Sequence, residues 1–487
     1  MKRRDLLQAA VWVATSALLK GGLAAPQAAF ARPSTTPDAP PSSPQTATPT
    51  NHNAEVLIIG AGAAGLAAAK TLHDAGKTVI VLEARTRLGG RVWSDRTWPD
   101  ATVDMGASWI QGTTGNPLTA LARAYQLPTV VTDAEALAVH DTDGSLLTEE
   151  HLADIESLLE KIQRRLKKLR RQYDEADEDD ISLQAALALV LADLKLSRAE
   201  LRHLNFAVTG LIEHEYAADV AHLSLYSWDA GEGFAGDDVL FPDGYDRLPR
   251  QLAAGLDVRL AHVVTEIAYT DQGVTVTTAQ GNFTAARVVI TLPLGVLQKK
   301  SVRFLPPLPT AKHTAIARLG MGVLNKLYLR FERIFWEPQA DLLGYIPTKK
   351  GEWTSFVNMA NAVRHPILLC FNSGEYGAKT ETFSDARLVA EAMKTLRLMY
   401  GTDIPTPSSW LRTRWLSDPF AYGSYSYRAV NATSDDHDRL AEPVAGRLFF
   451  AGEATSRQYS ATVHGAYLSG VRAANEVVAS EVSAQRA

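Results

Sequence analysis

Glu55-Val56-Leu57-Ile58-Ile59-Gly60-Ala61-Gly62-Ala63-Ala64-Gly65 decides the fold. A short apolar run of buried-strand type meets three spaced glycines and then a helical stretch that ends at Gly76. Gly60 permits the tight turn. Gly62 lets backbone N–H groups approach a pyrophosphate at the positive helix N-terminus, with Ala63 and Ala64 beside it, and Gly65 allows the helix to pack closely on the strand. A second strand over residues 78–82 delivers Glu83, whose carboxylate is positioned to accept hydrogen bonds from a ribose diol. Glycine fingerprints also occur in tight turns of no function. The flanking strand, helix and terminal acid favour dinucleotide binding here, without separating NAD from FAD.

The 487 residues exceed what one hydrophobic core usually supports, which predicts two domains, interleaved along the chain. A formal net charge of -5 gives no basic surface for nucleic acid, so the expected partners are small molecules. Cys370 is the single cysteine, which excludes an internal disulfide and a cysteine-based metal cluster; no metal site is expected. Residues 1–31 carry Lys2, Arg3 and Arg4, then an apolar stretch from Ala9 to Leu19, then Ala29-Phe30-Ala31, and read as a cleavable signal too short to span a bilayer. Arg3-Arg4-Asp5-Leu6-Leu7 resembles the twin-arginine signal, whose machinery exports proteins already folded around a cofactor; a general secretory signal is the alternative. The expectation is a periplasmic or secreted protein with no stable membrane anchor after cleavage. Residues 32–53 hold six prolines among Ser, Thr and Ala and are expected to form a disordered linker.

The residues after the second strand separate the two cofactors. Glu83-Ala84-Arg85-Thr86-Arg87-Leu88-Gly89-Gly90-Arg91 resembles an extension found in the flavin amine oxidase family, and its glycines and arginines suit a loop that approaches and neutralises a pyrophosphate. Asp104-Met105-Gly106-Ala107-Ser108-Trp109-Ile110-Gln111-Gly112 looks like that family's loop along the flavin, and Trp415 belongs to a further matching segment. At the C-terminus, Gly452-Glu453-Ala454 and Tyr459-Ser460-Ala461-Thr462-Val463-His464-Gly465 resemble the segment that holds the ribityl-phosphate and the flavin pyrimidine edge, which implies Gly452, Glu453, Thr462 and Val463 as cofactor contacts. His464 reads as a structural residue of the helix's first turn. In the middle segment the resemblance sets Val264 against the adenine.

The resemblance covers nearly the whole chain after the linker and is closest to the polyamine oxidase and lysine-specific histone demethylase branch. It implies an α/β, two-domain flavin amine oxidase fold, with a Rossmann-type FAD domain (residues 54–112, 237–305 and 439–482) interleaved with an α+β substrate-binding domain (residues 113–236 and 306–438). It also implies oxidative deamination of a primary or secondary amine, polyamine or monoamine, with O2 as acceptor and hydrogen peroxide as product. Lys326 matches the family lysine that holds a water near the flavin; Tyr425 and Tyr459 match the two aromatic walls of the substrate channel, which suit a cationic amine. Ser424 stands where monoamine oxidases carry the cysteine bonded to the flavin, so the resemblance implies noncovalent FAD.

Two pocket positions bear on substrate. Gln111 departs from plant polyamine oxidases, which present an acid there, while Glu215 matches an acidic position near their tunnel and would bind a distal ammonium. An L-amino acid oxidase would use the same cofactor machinery but needs a cation for the substrate carboxylate. A flavin-binding protein without turnover is the second alternative. Leu152, Ile155, Leu159, Ile162, Leu166, Leu169 and Tyr173 give one helix with a single apolar seam, which leaves its Lys and Arg run on solvated faces.

Overall fold

The structure is a computed structural model that describes residues 52–486; the expected signal and all but the last two residues of the linker lie outside these. His52–Ile59 is the centre of an eight-stranded sheet. Val56, Leu57 and Ile58 are 0% exposed and Ile59 is 2% exposed. A parallel strand covered by helices on both faces needs apolar residues at consecutive positions, and this run supplies them. His52–Ile59 pairs in parallel with Val79–Leu82 and with Gly281–Ile290; beyond them lie Asp257–Arg259 and Leu448–Phe450, also parallel. Gly273–Thr278 and Val264–Thr270 extend the sheet in antiparallel fashion, with Arg303–Leu305 at the edge.

The alanine-rich helix Ala63–Asp74 covers one face, and the C-terminal helix Val463–Arg486 lies on it. Their backbones come so close that a Cβ at Gly470 would fall 2.1 Å from the Ala64 carbonyl oxygen. The last segment of the chain is thereby fastened to the first.

A second, six-stranded sheet runs in the order Ser409–Arg412, Leu324–Arg330, Ile367–Ser373, Ser355–Asn358, Leu342–Tyr345, Leu137–His140. It is antiparallel except at its last pair. Helix Asp385–Tyr400 buries Leu388, Ala392, Met393 and Leu396 against it. The helix with the apolar seam spans Glu149–Glu175 and buries Ile155, Leu159, Ile162 and Leu166 in a separate helical cluster, while Leu152 packs beside Val139, Phe206 and Ile346. Arg164 and Arg171 on its other faces are 70% and 71% exposed at the side chain.

Each passage between the two sheets is closed by a short antiparallel pair. Trp109–Ile110, where the chain first leaves, pairs with Val239–Leu240, where it returns. Gly320–Met321 and Ser426–Tyr427 do the same for the second excursion. The second departure comes later than the expected break after residue 305, because Ala315, Ile316 and Leu319 of and just after helix Thr310–Arg318 pack into the large sheet's core with Ile267, Phe283 and Leu440. Among the described residues no helix is long and apolar enough to cross a membrane.

Candidate active site

The carboxyl ends of four parallel strands open onto one cavity of about 330 Å³. They deliver Gly60, Glu83, Thr291 and Gly452, each of which lines it. Ligands in open α/β sheets bind at this edge.

Three glycines of the first turn have different reasons to be glycine. Gly60 has φ of +104°, and its Cβ would lie 2.5 Å from Thr291 Oγ1; a Cβ at Gly65 would lie 1.8 Å from the Gly60 carbonyl oxygen. Both are fixed by the protein's own packing, and Gly65 accordingly does not reach the cavity wall. A Cβ at Gly62 would meet only Gly89 O, at 3.8 Å. Gly62 also begins a helix that no side chain caps and whose first turn holds no acid. A bare, positive helix end beside Gly62, Ala63 and Ala64 on the cavity wall is the cradle that an anionic phosphate group requires.

Glu83 is 5% exposed and holds the turn together: one carboxylate oxygen accepts from the Ala61 N–H at 2.7 Å and the other from the Arg85 N–H at 2.8 Å. Burial pushes its carboxyl above the ordinary value. Ala84, Arg85, Gly90 and Arg91 continue the wall, with Val264 facing in from the antiparallel strands. Gly106, Ala107, Ser108 and Trp109 form the next part, although the smallness of Gly106 is accounted for by the chain itself, since a Cβ there would lie 1.8 Å from the Arg91 carbonyl oxygen.

Arg91 links this loop to the C-terminal segment. Its Nη1 donates to Glu453 Oε1 at 2.8 Å and to the Ser424 carbonyl at 2.9 Å, while Glu453 Oε2 accepts from Ser426 Oγ at 2.5 Å and from the Ala461 N–H at 2.9 Å. Burial pushes the Glu453 carboxyl up, but the Arg91 charge and these hydrogen bonds outweigh it and hold the carboxyl below its ordinary value. Glu453 thus organises the wall on which Gly452, Thr462 and Val463 sit.

Lys326 comes from the strand beside the edge strand of the second sheet and is 5% exposed. Its Nζ donates to Asp104 O at 2.7 Å, Gly106 O at 2.6 Å and Ser108 Oγ at 2.5 Å, with the Trp109 and Phe371 rings 5.7 and 5.9 Å away. Burial drives its ammonium well below the usual lysine range, against the pull of the Asp104 carboxylate. Trp415 lines the cavity nearby, with Nε1 donating to Met105 O at 3.2 Å. Tyr425, Gln111 and Glu215 complete this part of the wall, and the Tyr425 hydroxyl donates to the His214 carbonyl at 2.6 Å. Ser424 Oγ exchanges hydrogen bonds with the Leu324 backbone, and Cys370 is buried in the second sheet.

A model of the family described as flavin containing amine oxidoreductase matches residues 63–478. The chain belongs to that family. This amine oxidoreductase is 38% identical over 437 residues to polyamine oxidase 4 of Oryza sativa subsp. japonica, covering 86% of this chain and 88% of that one. It is 37% identical over 436 residues to polyamine oxidase 2 of Arabidopsis thaliana, covering 86% and 87%. It is 34% identical over 444 residues to human lysine-specific histone demethylase 2; these cover 88% of this chain but 54% of the demethylase, so the chain spans about half of that relative's length. A solved structure of putrescine oxidase bound to putrescine superposes with a TM-score of 0.72, at 20% identity, over 88% of this chain and all of that one. The oxidoreductase is therefore an FAD-dependent amine oxidase, and its fold is the interleaved α/β fold of that family.

Two features differ from what the sequence suggests. Tyr459 is not on the cavity wall; its ring stacks on Phe234 at 5.0 Å between centroids and 10° between planes, with His464 edge-on to both. His464 is 2% exposed, and burial pushes its pKa down to about 4, which keeps it neutral. Leu292, Pro293, Phe420 and Tyr422 line the cavity without having been singled out; their only sequence signal is position, just after a strand end or just before Tyr425.

Glu453→Gln is expected to cost ~1–3 kcal/mol of stability at neutral pH, the range for leaving buried polar groups unsatisfied. A carboxyl held below its ordinary value contributes stability that is complete above the unfolded glutamate pKa of about 4.3 and lost as pH falls through the folded value. The gap between wild type and variant in thermal melts should therefore narrow on acidification; a gap independent of pH would contradict this role.

Proposed function

We propose that the enzyme oxidises amines that carry a second cationic group. The observation that carries this reading is Glu215, which lines the same cavity as Lys326 and Tyr425. The arginines on the cavity wall, Arg85 and Arg91, are hydrogen-bonded to Asp418 and Glu453, which disfavours the carboxylate-binding alternative of an amino acid substrate. Bound FAD would supply the acceptor for a hydride equivalent from the carbon beside the amine nitrogen and the route of those electrons to O2, with hydrogen peroxide as product.

The chain's own residues bind and orient. The Gly62, Ala63 and Ala64 turn would hold the pyrophosphate and Glu83 the ribose, with Val264 beside the adenine. Ser108, Trp109, Trp415 and Val463 would flank the ring system, and Glu453 would keep Arg91 in place. Tyr425 gives the amine an aromatic face that attracts its cationic form on entry. Glu215 takes the distal ammonium, with Gln111 as a neutral neighbour in place of a second acid. Lys326 would hold and release a proton at Nζ, where burial makes the neutral amine accessible.

In anaerobic mixing of the yellow protein with spermidine, putrescine, tyramine and L-amino acids, the di- and polyamines should bleach the flavin fastest. Glu215→Gln should raise KM for those amines about tenfold, ~1.4 kcal/mol, and leave tyramine nearly unaffected. Bleaching by amino acids alone would refute the reading.

We also propose export by the twin-arginine route, on the strength of Arg3-Arg4-Asp5-Leu6-Leu7 and a linker that can tether a prefolded flavoprotein. Replacing Arg3 and Arg4 together by lysine should leave the protein in the cytoplasmic fraction; unchanged export of that variant would point to the general secretory signal.

A further inference from the structure

The cavity has a closure that neither the family assignment nor the sequence motifs identify. Pro419 and Phe420 line it, yet they belong to an excursion that follows the second sheet's edge strand Ser409–Arg412. Trp415 O accepts from the Gly423 N–H at 2.9 Å, which makes residues 415–423 a loop closed on itself. The base of this loop is fixed. Trp415 is 5% exposed and donates its N–H to Asn325 Oδ1 at 3.0 Å, and Ala421 is 0% exposed, with its carbonyl packed where a Cβ on Gly295 would come within 2.5 Å.

The tip is different, because Leu416, Ser417 and Pro419 are exposed. Two carboxylates hold it. Glu381, from the second sheet's side, accepts from the Leu416 and Ser417 N–H groups at 2.7 and 2.9 Å. Asp418 reaches the opposite side of the cavity and takes Arg85 as a bidentate partner, at 2.9 Å from Nη1 and 2.7 Å from Nη2. Arg85 also lies over the Phe420 ring at 5.3 Å, and the Phe420 N–H donates to Asp418 Oδ1 at 2.9 Å.

The geometry points to residues 416–420 as a flap over the FAD cavity, latched by the Arg85–Asp418 pair, whose opening sets the rate at which FAD enters and leaves. The latch also reaches the cofactor turn, since the Arg85 N–H donates to Glu83 and Glu83 accepts from Ala61. Asp418 is in this sense a positioning residue for the cofactor. With 13% and 20% of the side-chain surfaces exposed, the pair is partly buried, so salt screens it less than a surface pair. The inference rests on FAD as the cofactor, which family membership supplies.

The test is the rate of FAD release, followed as the rise in flavin fluorescence when holoprotein is diluted into buffer, for wild type, Asp418→Asn and Asp418→Glu. Asp418→Asn should release FAD about tenfold faster or more, a change of ~1.4 kcal/mol or above. Asp418→Glu should restore most of the difference, as a carboxylate on a longer arm can still reach Arg85. Wild-type release should accelerate modestly between about 0.05 and about 0.5 M salt, as a partly buried pair is only weakly screened, and Asp418→Asn should lose that response. Equal release rates and equal salt responses in wild type and Asp418→Asn would overturn the latch. If Asp418→Asn does not fold, Glu381→Gln, at the tip's other anchor, decides: FAD release no faster than in wild type overturns the flap. Wild-type protein that takes up no FAD would instead refute the cofactor reading beneath the proposal.

Discussion

A buried ammonium is stable in a protein only when oxygen acceptors replace the water it has lost. Lys326 meets that demand from three acceptors on one short loop, Asp104 O, Gly106 O and Ser108 Oγ. The lysine belongs to the second sheet and the loop to the first half, just before the chain leaves it at Trp109–Ile110, so the cost of burying one charge ties the two halves of the molecule together. The Tyr328 hydroxyl adds a further bond from the same strand to Asp104 O, at 2.7 Å. Around this junction lie Trp109, Trp415 and Tyr425, and the rest of the site is arranged by its distance from it.

The large sheet contributes in a complementary way. Four of its parallel strands end at the cavity, and backbone conformation sets the glycines there, Gly60 with φ of +104° at one and Gly452 with φ of +126° at another, while Glu83 ties its turn to the next. A short antiparallel pair closes each passage between the two sheets. At the rim, Leu416, Ser417 and Pro419 are the exposed residues of the loop tip.

Much of this was legible in the sequence where the determinants are local. The strand, glycine turn, helix and terminal acid are consecutive, and each is specified by its own neighbours. The resemblance located Lys326, Tyr425, Trp415 and Glu453, since each lies in a contiguous motif. The parts that escaped depend on residues far apart in the chain. Nothing near Gly106 signals that the Arg91 carbonyl demands a glycine there. Tyr459 turns toward Phe234, which arrives from a loop more than two hundred residues earlier, so its absence from the cavity wall has no local sign. Helix Thr310–Arg318 joins the large sheet because Leu440 and Ile267 wait for it there, and the π-helical turn Thr209–Glu213 before Glu215 has no pattern that distinguishes it from an ordinary helix end.

The central claim is that the chemistry takes place where Lys326 meets the loop of Asp104, Gly106 and Ser108. The most direct measurement compares wild type with Lys326→Met in rapid-mixing experiments that follow flavin reduction by an amine and flavin reoxidation by O2 separately, with bound FAD quantified in the same samples. The account predicts that FAD stays bound and that at least one of the two rates falls by about tenfold or more, ~1.4 kcal/mol of barrier. Two unchanged rates in a fully loaded variant would contradict it and reduce Lys326 to a structural bolt between the sheets.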